Sequence, residues 1–112
     1  MANSYKRYEE TLTATVAATV LTVPAATTAI VKSIWVANNG SSSSNINVTF
    51  SPAGSGTHYL VPLEAVAAKQ YVDFLAGWNA GPLVLEAEDE LVITSSQNDV
   101  YVVVSALLVD RN

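Results

Sequence analysis

Hydrophobic and polar residues alternate along much of this chain, in short runs separated by turn-forming residues. The longest run, Thr28–Asn39 (TAIVKSIWVANN), is rich in β-branched and aromatic residues, and the loop Gly40–Ser44 closes it. This pattern predicts a long β-strand. Because side chains alternate across a strand, Trp35 falls on one face and Ile34 on the other, and both faces are mostly apolar. We therefore predict a central strand that is covered on both sides.

The same signals predict further strands along the chain. Asn45–Phe50 (NINVTF) alternates most clearly, which predicts a strand with one buried and one wet face, joined to the central strand as a hairpin through a mobile serine loop. The other predicted strands are Leu12–Val16, Val20–Val23, Thr57–Leu63, Lys69–Leu75, Leu83–Glu86, Leu91–Ser95 and Val100–Val109. With about eight strands and regular turns, the pattern predicts an all-β fold, an antiparallel β-sandwich or jelly roll.

The window Leu63–Trp78 allows two interpretations. Its apolar residues fit a helical spacing, which would place one helix in an otherwise all-β chain. However, the segment Lys69–Leu75 contains the β-favouring pair Tyr71 and Val72, and its neighbours predict strands. We expect a strand over Lys69–Leu75 and a loop before it.

The two ends of the chain differ in character. Residues 1–10 are polar and charged, and we expect them to form an N-terminal arm outside a β-sandwich domain of residues 11–112. Tyr5, Lys6, Arg7 and Tyr8 are the candidate partner-binding residues of this arm, because exposed tyrosines suit contact with a neighbouring subunit. The last strand, Val100–Val109, is apolar on both faces, so one face needs a cover from the same chain or another subunit.

The composition narrows the functional classes. The chain has 112 residues, of which 50% are hydrophobic and only 13% charged. So little charge suits a domain that shares part of its surface with a partner. The net charge of −5 opposes binding to nucleic acid, and no apolar stretch is long enough to predict a membrane span. The chain has no cysteine, which excludes disulfides and thiol catalysis.

No set of residues predicts a catalytic, cofactor or metal site. The single histidine, His58, has no marked partner for a triad or a zinc site, so we expect it to be structural and the protein not to be an enzyme. The acidic segment Glu86–Glu90 lacks the spacing of a calcium loop, and a solvated turn is the favoured interpretation. Trp35 and Trp78 could form a platform for carbohydrate, but their apolar neighbours favour core positions. For a buried Trp35 we expect replacement by alanine to cost about 3–5 kcal/mol.

Three segments in sequence carry a resemblance. They are VLTVPAATTAIVKSIWVANNGSSSSNINVTF, THYLVPL and LVLEAEDELVITSSQNDVYVVVSALLV, which together extend over roughly residues 20–109. In this order they resemble small virion proteins of tailed bacteriophages, in which a serine- or threonine-rich loop follows a strand of this kind. Glu88 stands where that pattern usually has a glycine before the aspartate. The resemblance implies a β-sandwich or jelly-roll structural subunit, of the capsid decoration (cement) type or from head–tail and tail-fibre parts.

Two functional hypotheses follow from the resemblance. The first is a decoration protein on the outer capsid surface of the virion, made in the host cytoplasm, which binds and stabilises the major capsid protein. As such it would be a homo-oligomer, with a trimer favoured, and would bind neither nucleic acid nor membrane. The second is a tail-fibre, head-fibre or neck module whose loops Ser41–Ser44, Gly54–Gly56 and Trp78–Gly81 bind a receptor or carbohydrate.

Overall fold

The structure is a computed structural model that describes residues 3–75 and 81–111. Over these ranges the chain forms strands and one 3-10 turn at Pro52–Gly54, with no α-helix, and so no helix that could cross a bilayer. The strands are β1 (Asn3–Leu12), β2 (Ala18–Thr22), β3 (Thr27–Asn38), β4 (Ser44–Ser51), β5 (His58–Val66), β6 (Tyr71–Asp73), β7 (Leu83–Leu85), β8 (Glu90–Ser95) and β9 (Val100–Asp110). The predicted all-β class is confirmed.

The strands form two antiparallel sheets. The first sheet has the order β1-β9-β3-β6, with β7 also paired to β3, and the second has the order β2-β8-β4-β5. β6 lies opposite Trp35–Ala37 of β3, and β7 lies opposite Ala29–Val31. Because both run in the same direction along one edge of β3, they act as a single edge strand that is interrupted between Asp73 and Leu83.

Strands from the first half of the chain pair with strands from the second half. β1 pairs with β9, β2 with β8, β3 with β6 and β7, and β4 with β5. The chain therefore folds back on itself after β4, and the resulting double ribbon rolls up so that β9 also meets β3 and β8 also meets β4. This is the winding of a jelly roll. The sandwich prediction is confirmed, and the pairing identifies which kind of sandwich it is.

The core lies between the inward faces of the two sheets. Ile46 and Val48 of β4 are buried as the alternation predicted, and Phe50 is half-buried. In β9 every second side chain from Val100 to Leu108 points inward. The largest fully buried side chains come from both sheets and the turns beside them: Phe74, Leu12, Leu21, Ile34, Ile46, Leu85, Leu91 and Ile93.

The sequence suggested that the serine loop joins β3 and β4 as a hairpin, and this prediction is wrong. β3 belongs to the first sheet and β4 to the second, so the loop carries the chain across the sandwich. Buried Asn38 holds its start, because its side-chain amide donates to the carbonyl oxygens of Ser42 at 2.8 Å and Val66 at 2.9 Å. The Asn38 side-chain oxygen also accepts from the Gly40 backbone N–H at 3.0 Å. These bonds tie the loop to the end of β5.

The N-terminal residues form a strand of the sheet. We expected residues 1–10 to be an arm outside the sandwich, but residues 3–10 belong to β1, which pairs with β9 from Asn3 opposite Val109 to Leu12 opposite Val100. The polar side chains misled the prediction, since they suit an edge strand whose side chains mostly face water. Hydrogen bonds between the backbones of β1 and β9 hold the segment in place, and polar side chains do not prevent these bonds.

A β-bulge in β3 changes which residues face the core. The register with β9 shifts between Val31 and Ser33, so Ala29 and Val31 before it, and Ile34 and Val36 after it, all point inward. One extra residue in a strand reverses the alternation that follows. Strict alternation had placed Trp35 on the face of Val31, and the assignment of Trp35 to the core is wrong: its side chain is 39% exposed.

The ambiguous window resolves as strand. β5 continues to Val66, a turn follows, and β6 occupies Tyr71–Asp73, so no described residue of the window is helical. β6 is shorter than the predicted Lys69–Leu75, since Phe74 and Leu75 form a turn that places Phe74 in the core. Trp78, which we assigned to the core, lies outside the described residues.

Candidate interaction surface

The outer face of the first sheet carries exposed aromatic side chains. Trp35 of β3 lies opposite Val103 of β9, and the next row places Ala37 between Tyr71 of β6 and Tyr101 of β9. The Trp35 and Tyr71 rings stack with centroids 4.5 Å apart and planes 14° from parallel. Tyr71 is 63% exposed and Tyr101 40%. We call Trp35, Tyr71, Tyr101 and Val103 the aromatic face.

A second apolar row crosses the same outer face nearer the other end of the strands. It runs from Tyr5 of β1 through Leu107 and Ile30 to Val84 of β7, since each lies opposite the next in register. Tyr5 is 80% exposed and Val84 56%. A polar band separates this row from the aromatic face, formed by Arg7, Ser105 and Ser33 at the level of the bulge. We expected one face of Val100–Val109 to need a cover from the same chain or from another subunit. Among the described residues this is the outer face of β9, where Tyr101 is 40% exposed.

The outer face of the second sheet is mostly polar along β2, β8 and β4, and it exposes apolar side chains on its edge strand β5. Thr49 and Asn47 of β4 alternate with the inward residues, and Val92 and Thr94 of β8 lie opposite them. Thr19 of β2 continues this face at the edge. On β5, however, Tyr59 lies opposite Thr49 and is 64% exposed, and Leu63 is 66% exposed. Exposed apolar side chains therefore occur on both sheets, and the stacked aromatic pair lies on the first.

The four predicted partner-binding residues do not share one surface. Alternation along β1 puts Tyr5 and Arg7 on the outer face, and Lys6 and Tyr8 on the side of the core. Lys6 Nζ lies 6.0 Å from the centre of the Tyr8 ring, and partial burial raises the pKa of the Tyr8 hydroxyl. Arg7 and Glu9, both exposed, form a weak ion pair at 3.6 Å. Only Tyr5 and Arg7 belong to the outer surface described above.

The acidic turn is a structural element of the fold. Asp89 is 8% exposed, and its carboxylate oxygens accept from the backbone N–H groups of Ala53 at 3.0 Å and Glu86 at 2.9 Å. Glu88 has φ of 71°, the left-handed conformation that glycine adopts without strain, at the position where the resembling proteins usually have glycine. Within residues 3–75 and 81–111 no group of three His, Asp or Glu side chains is arranged to hold a metal ion.

The loops proposed as binding tips do not converge. Ser41–Ser44 precedes β4 and Gly54–Gly56 follows it, so the two lie at opposite ends of an eight-residue strand. Most of the third loop, Trp78–Gly81, is outside the described residues. Ser41 and Ser42 instead lie beside Gln97 and Asn98 in a shallow polar depression.

His58 is exposed on β5 and stacks on Phe50, with ring centroids 5.1 Å apart.

An apolar cavity of about 230 Å³ opens where the edge of β5 meets the interrupted edge strand. Its described lining holds no ionisable side chain and consists of Ile34, Leu60, Val61, Phe74, Leu75, Gly81, Pro82 and Leu83. Such a lining provides no acid, base or nucleophile. The aromatic face remains the surface with the clearest capacity for binding.

Sequence reasoning missed the aromatic face because Trp35 was assigned to the core. Lys32, a charged residue inside an apolar strand, marks the bulge and was the available signal for the change of alternation. Tyr71 gave no such signal, because only the pairing of β6 with β3 brings it onto Trp35.

Comparison with known proteins shows the fold. No family model and no curated protein matches this sequence. One similar solved structure is of Bacillus endospore appendages, a family of disulfide-linked pili, with 11% identity and a TM-score of 0.58, covering 96% of this chain and 84% of that one. Another is a chain of the T13 IBDV viral particle, with 12% identity and a TM-score of 0.54, covering 95% of this chain and 30% of that one.

Both similar structures are parts of structural assemblies, a pilus and an icosahedral virus particle, and neither is described as a phage decoration protein. This chain has no cysteine, so it cannot form the disulfide links of such pili. At these identities the likeness extends to the architecture only. The chain has a β-sandwich fold that also occurs in a viral particle and in a bacterial appendage.

Proposed function

We propose that this protein is a non-catalytic structural subunit of a virion, and specifically a capsid decoration protein that binds the major capsid protein through its aromatic face. The observation that carries the proposal is the stacked pair Trp35 and Tyr71, exposed beside Tyr101 on the outer face of the first sheet. Aromatic side chains on a rigid sheet lose little conformational freedom on binding. They are also the residues that most often dominate interface energies.

The position of the stacked aromatic pair supports attachment through the first sheet. A decoration protein needs one surface for the shell and another for water, and the mostly polar strands β2, β8 and β4 of the second sheet suit contact with water. The net charge of −5 favours the outside of a DNA-filled shell over its inside, where packaged phosphates would repel the protein. The resemblance to small virion proteins of tailed phages points to the same location.

Binding to undecorated capsids tests the proposal. The test variant carries Tyr71→Ser and Tyr101→Ser, and the matched control carries Thr19→Ser and Thr94→Ser on the outer face of the second sheet. We expect the test variant to bind shells at least about tenfold more weakly, because an aromatic anchor typically contributes more than a factor of ten to affinity. The control should bind like the native protein. Shell occupancy by gel densitometry and the heat resistance of decorated shells are the measurements.

Equal occupancy for both variants would show that the aromatic face is not the attachment surface. If even the native protein fails to bind any shell, the decoration hypothesis is wrong. The copy number in purified virions then tests the alternative. A few copies per particle would support a fibre or neck module, whereas many copies would contradict it.

A further inference from the structure

β1 is one of the two edges of the first sheet in the described part of the chain. It pairs with β9 along one side for its whole length, and no other described strand pairs with it. Its side chains are mostly exposed, with only Leu12 buried. A free edge of this length presents backbone donors and acceptors to which a further strand can bind.

The charges of β1 are arranged so that the strand is complementary to itself. Its central segment reads Lys6-Arg7-Tyr8-Glu9-Glu10, with two cations before the tyrosine and two anions after it. If two copies of β1 pair antiparallel with Tyr8 opposite Tyr8, Lys6 lies opposite Glu10 and Arg7 opposite Glu9, each twice. Opposite charges directly across a strand pair are stabilising. Sliding the pair by one residue either way leaves only one kind of ion pair in register.

The same register keeps the two sheets on a common side. Odd-numbered residues of β1 lie on the outer face and even-numbered residues on the side of the core. Pairing about Tyr8 places odd opposite odd and even opposite even, so the outer faces of both copies are continuous. A shift by one residue would set the outer face of one copy beside the inner side of the other.

From this complementarity we propose that two copies of this chain associate through β1 about a two-fold axis at Tyr8, which joins their first sheets into one continuous sheet. Charged edge strands commonly prevent such pairing. That effect needs like charges to meet, whereas here each cation meets an anion. The contact is a single strand pair, so we expect modest affinity that weakens as salt rises. The proposal does not depend on capsid binding, since purified protein suffices to test it.

Two charge exchanges with identical composition test the register. The exchange Arg7→Glu with Glu9→Arg keeps every cross-strand pair opposite in sign. The exchange Arg7→Glu with Glu10→Arg sets Lys6 against the new arginine and sets two glutamates against each other. We expect the first variant to dimerise like the native protein and the second to dimerise at least about tenfold more weakly, since like charges now oppose each other. Sedimentation equilibrium at low salt measures the mass, and circular dichroism confirms that both variants fold.

A crosslink tests the same register without relying on charge. The native chain has no cysteine, so Tyr8→Cys introduces a single thiol that the two-fold axis places opposite itself. Directly opposed residues have Cα atoms about 4.5–5.5 Å apart, which is within the range for a disulfide. Tyr5→Cys is the control, because Tyr5 lies opposite Thr11 in this register. Mild oxidation should link Tyr8→Cys into dimers and leave Tyr5→Cys unlinked.

The possible results either support or overturn dimerisation through β1. A dimer that survives the first exchange and is lost in the second, together with the Tyr8→Cys link, supports the proposal. A native protein that is monomeric at every concentration, equal dimerisation of the two exchange variants, or a stable trimer would overturn it. The trimer is the state that the resemblance to decoration proteins favoured, so the same measurement decides between the two.

Discussion

Trp35 and Ile34 are neighbours in β3 with opposite surroundings. Ile34 is 1% exposed and belongs to the core, whereas Trp35 is 39% exposed and stacks on Tyr71 at the surface. The larger side chain, that of Trp35, is therefore the one at the surface. The bulge before Ser33 is responsible, because it reverses the direction of both side chains.

This exchange of positions predicts an order of stability effects. Ile34→Ala should lower the free energy of unfolding by about 2–5 kcal/mol, because it leaves a cavity in the core. Trp35→Ala should cost about 1–2 kcal/mol, from the lost stack and partial burial, rather than the 3–5 kcal/mol expected of a buried tryptophan. Urea unfolding of both variants is the measurement. A larger loss for Trp35→Ala than for Ile34→Ala would mean that Trp35 is the core residue after all.

Among the elements, the bulged strand β3 depends on a carboxylate from its neighbour. Asp73 at the end of β6 accepts from the Ser33 hydroxyl at 2.8 Å, and from the backbone N–H groups of Ile34 at 3.3 Å and Leu75 at 3.0 Å. A bulge interrupts the regular ladder and leaves backbone groups without strand partners. Asp73 supplies such a partner on β3 and also orders the turn that carries Phe74 into the core.

We expect substitutions at Asp73 and Ser33 to have non-additive effects on the free energy of unfolding. Asp73→Ala should cost about 1–3 kcal/mol, because part-buried backbone donors lose their acceptor, and Ser33→Ala should cost about 0.5–1.5 kcal/mol. The double variant should cost less than the sum of the two by about 0.5 kcal/mol or more, since each single change already breaks the shared bond. Denaturant unfolding of the four proteins measures this coupling. Strict additivity would contradict a direct role for the pair in holding the bulge.

At the scale of the whole molecule, the jelly-roll winding brings the two ends of the chain together. Asn3 lies directly opposite Val109 in the first sheet. The turn where the chain folds back, between Ser51 and His58, is largely exposed at its tip. The fold should therefore tolerate a new connection at the ends and a cut at this tip, provided that no buried hydrogen bond is lost.

A circular permutant tests this prediction. Joining the ends through a short glycine-serine linker and opening the chain between Ser55 and Gly56 should lower the melting temperature by only a few degrees, on the order of 1 kcal/mol. The matched control opens the chain between Glu88 and Asp89, where both Asp89 oxygens hold backbone N–H groups, and should be much less stable. Calorimetry of both permutants is the measurement. Equal stability would show that the acidic turn does not contribute as described.

The amino-acid sequence by itself determined the fold class and most of the strands. The predicted strand Leu12–Val16 is wrong, because β1 ends at Leu12 and a turn follows it. The alternation in Asn45–Phe50 and the turn residues between segments are local signals, and they correctly predicted an all-β sandwich of about eight strands. The segment Val100–Val109 was likewise predicted to be a strand, and β9 occupies Val100–Asp110. These properties depend on residues that are close together in the sequence, so a single sequence reveals them.

Only the tertiary structure decided which surface carries the candidate site. The polarity of residues 3–10 did not reveal that β1 pairs with β9, and local alternation could not place the bulge that turns Trp35 outward. Neither could it bring Tyr71 onto Trp35, since the two residues meet only when β6 pairs with β3. A bulge and a strand pairing are settled by hydrogen bonds between distant segments, and a one-residue shift in either moves a side chain from the core to the surface. Lys32 was the one local signal of the bulge, but no local signal brings Tyr71 onto Trp35, and so the aromatic face as a whole could be learned only from the fold.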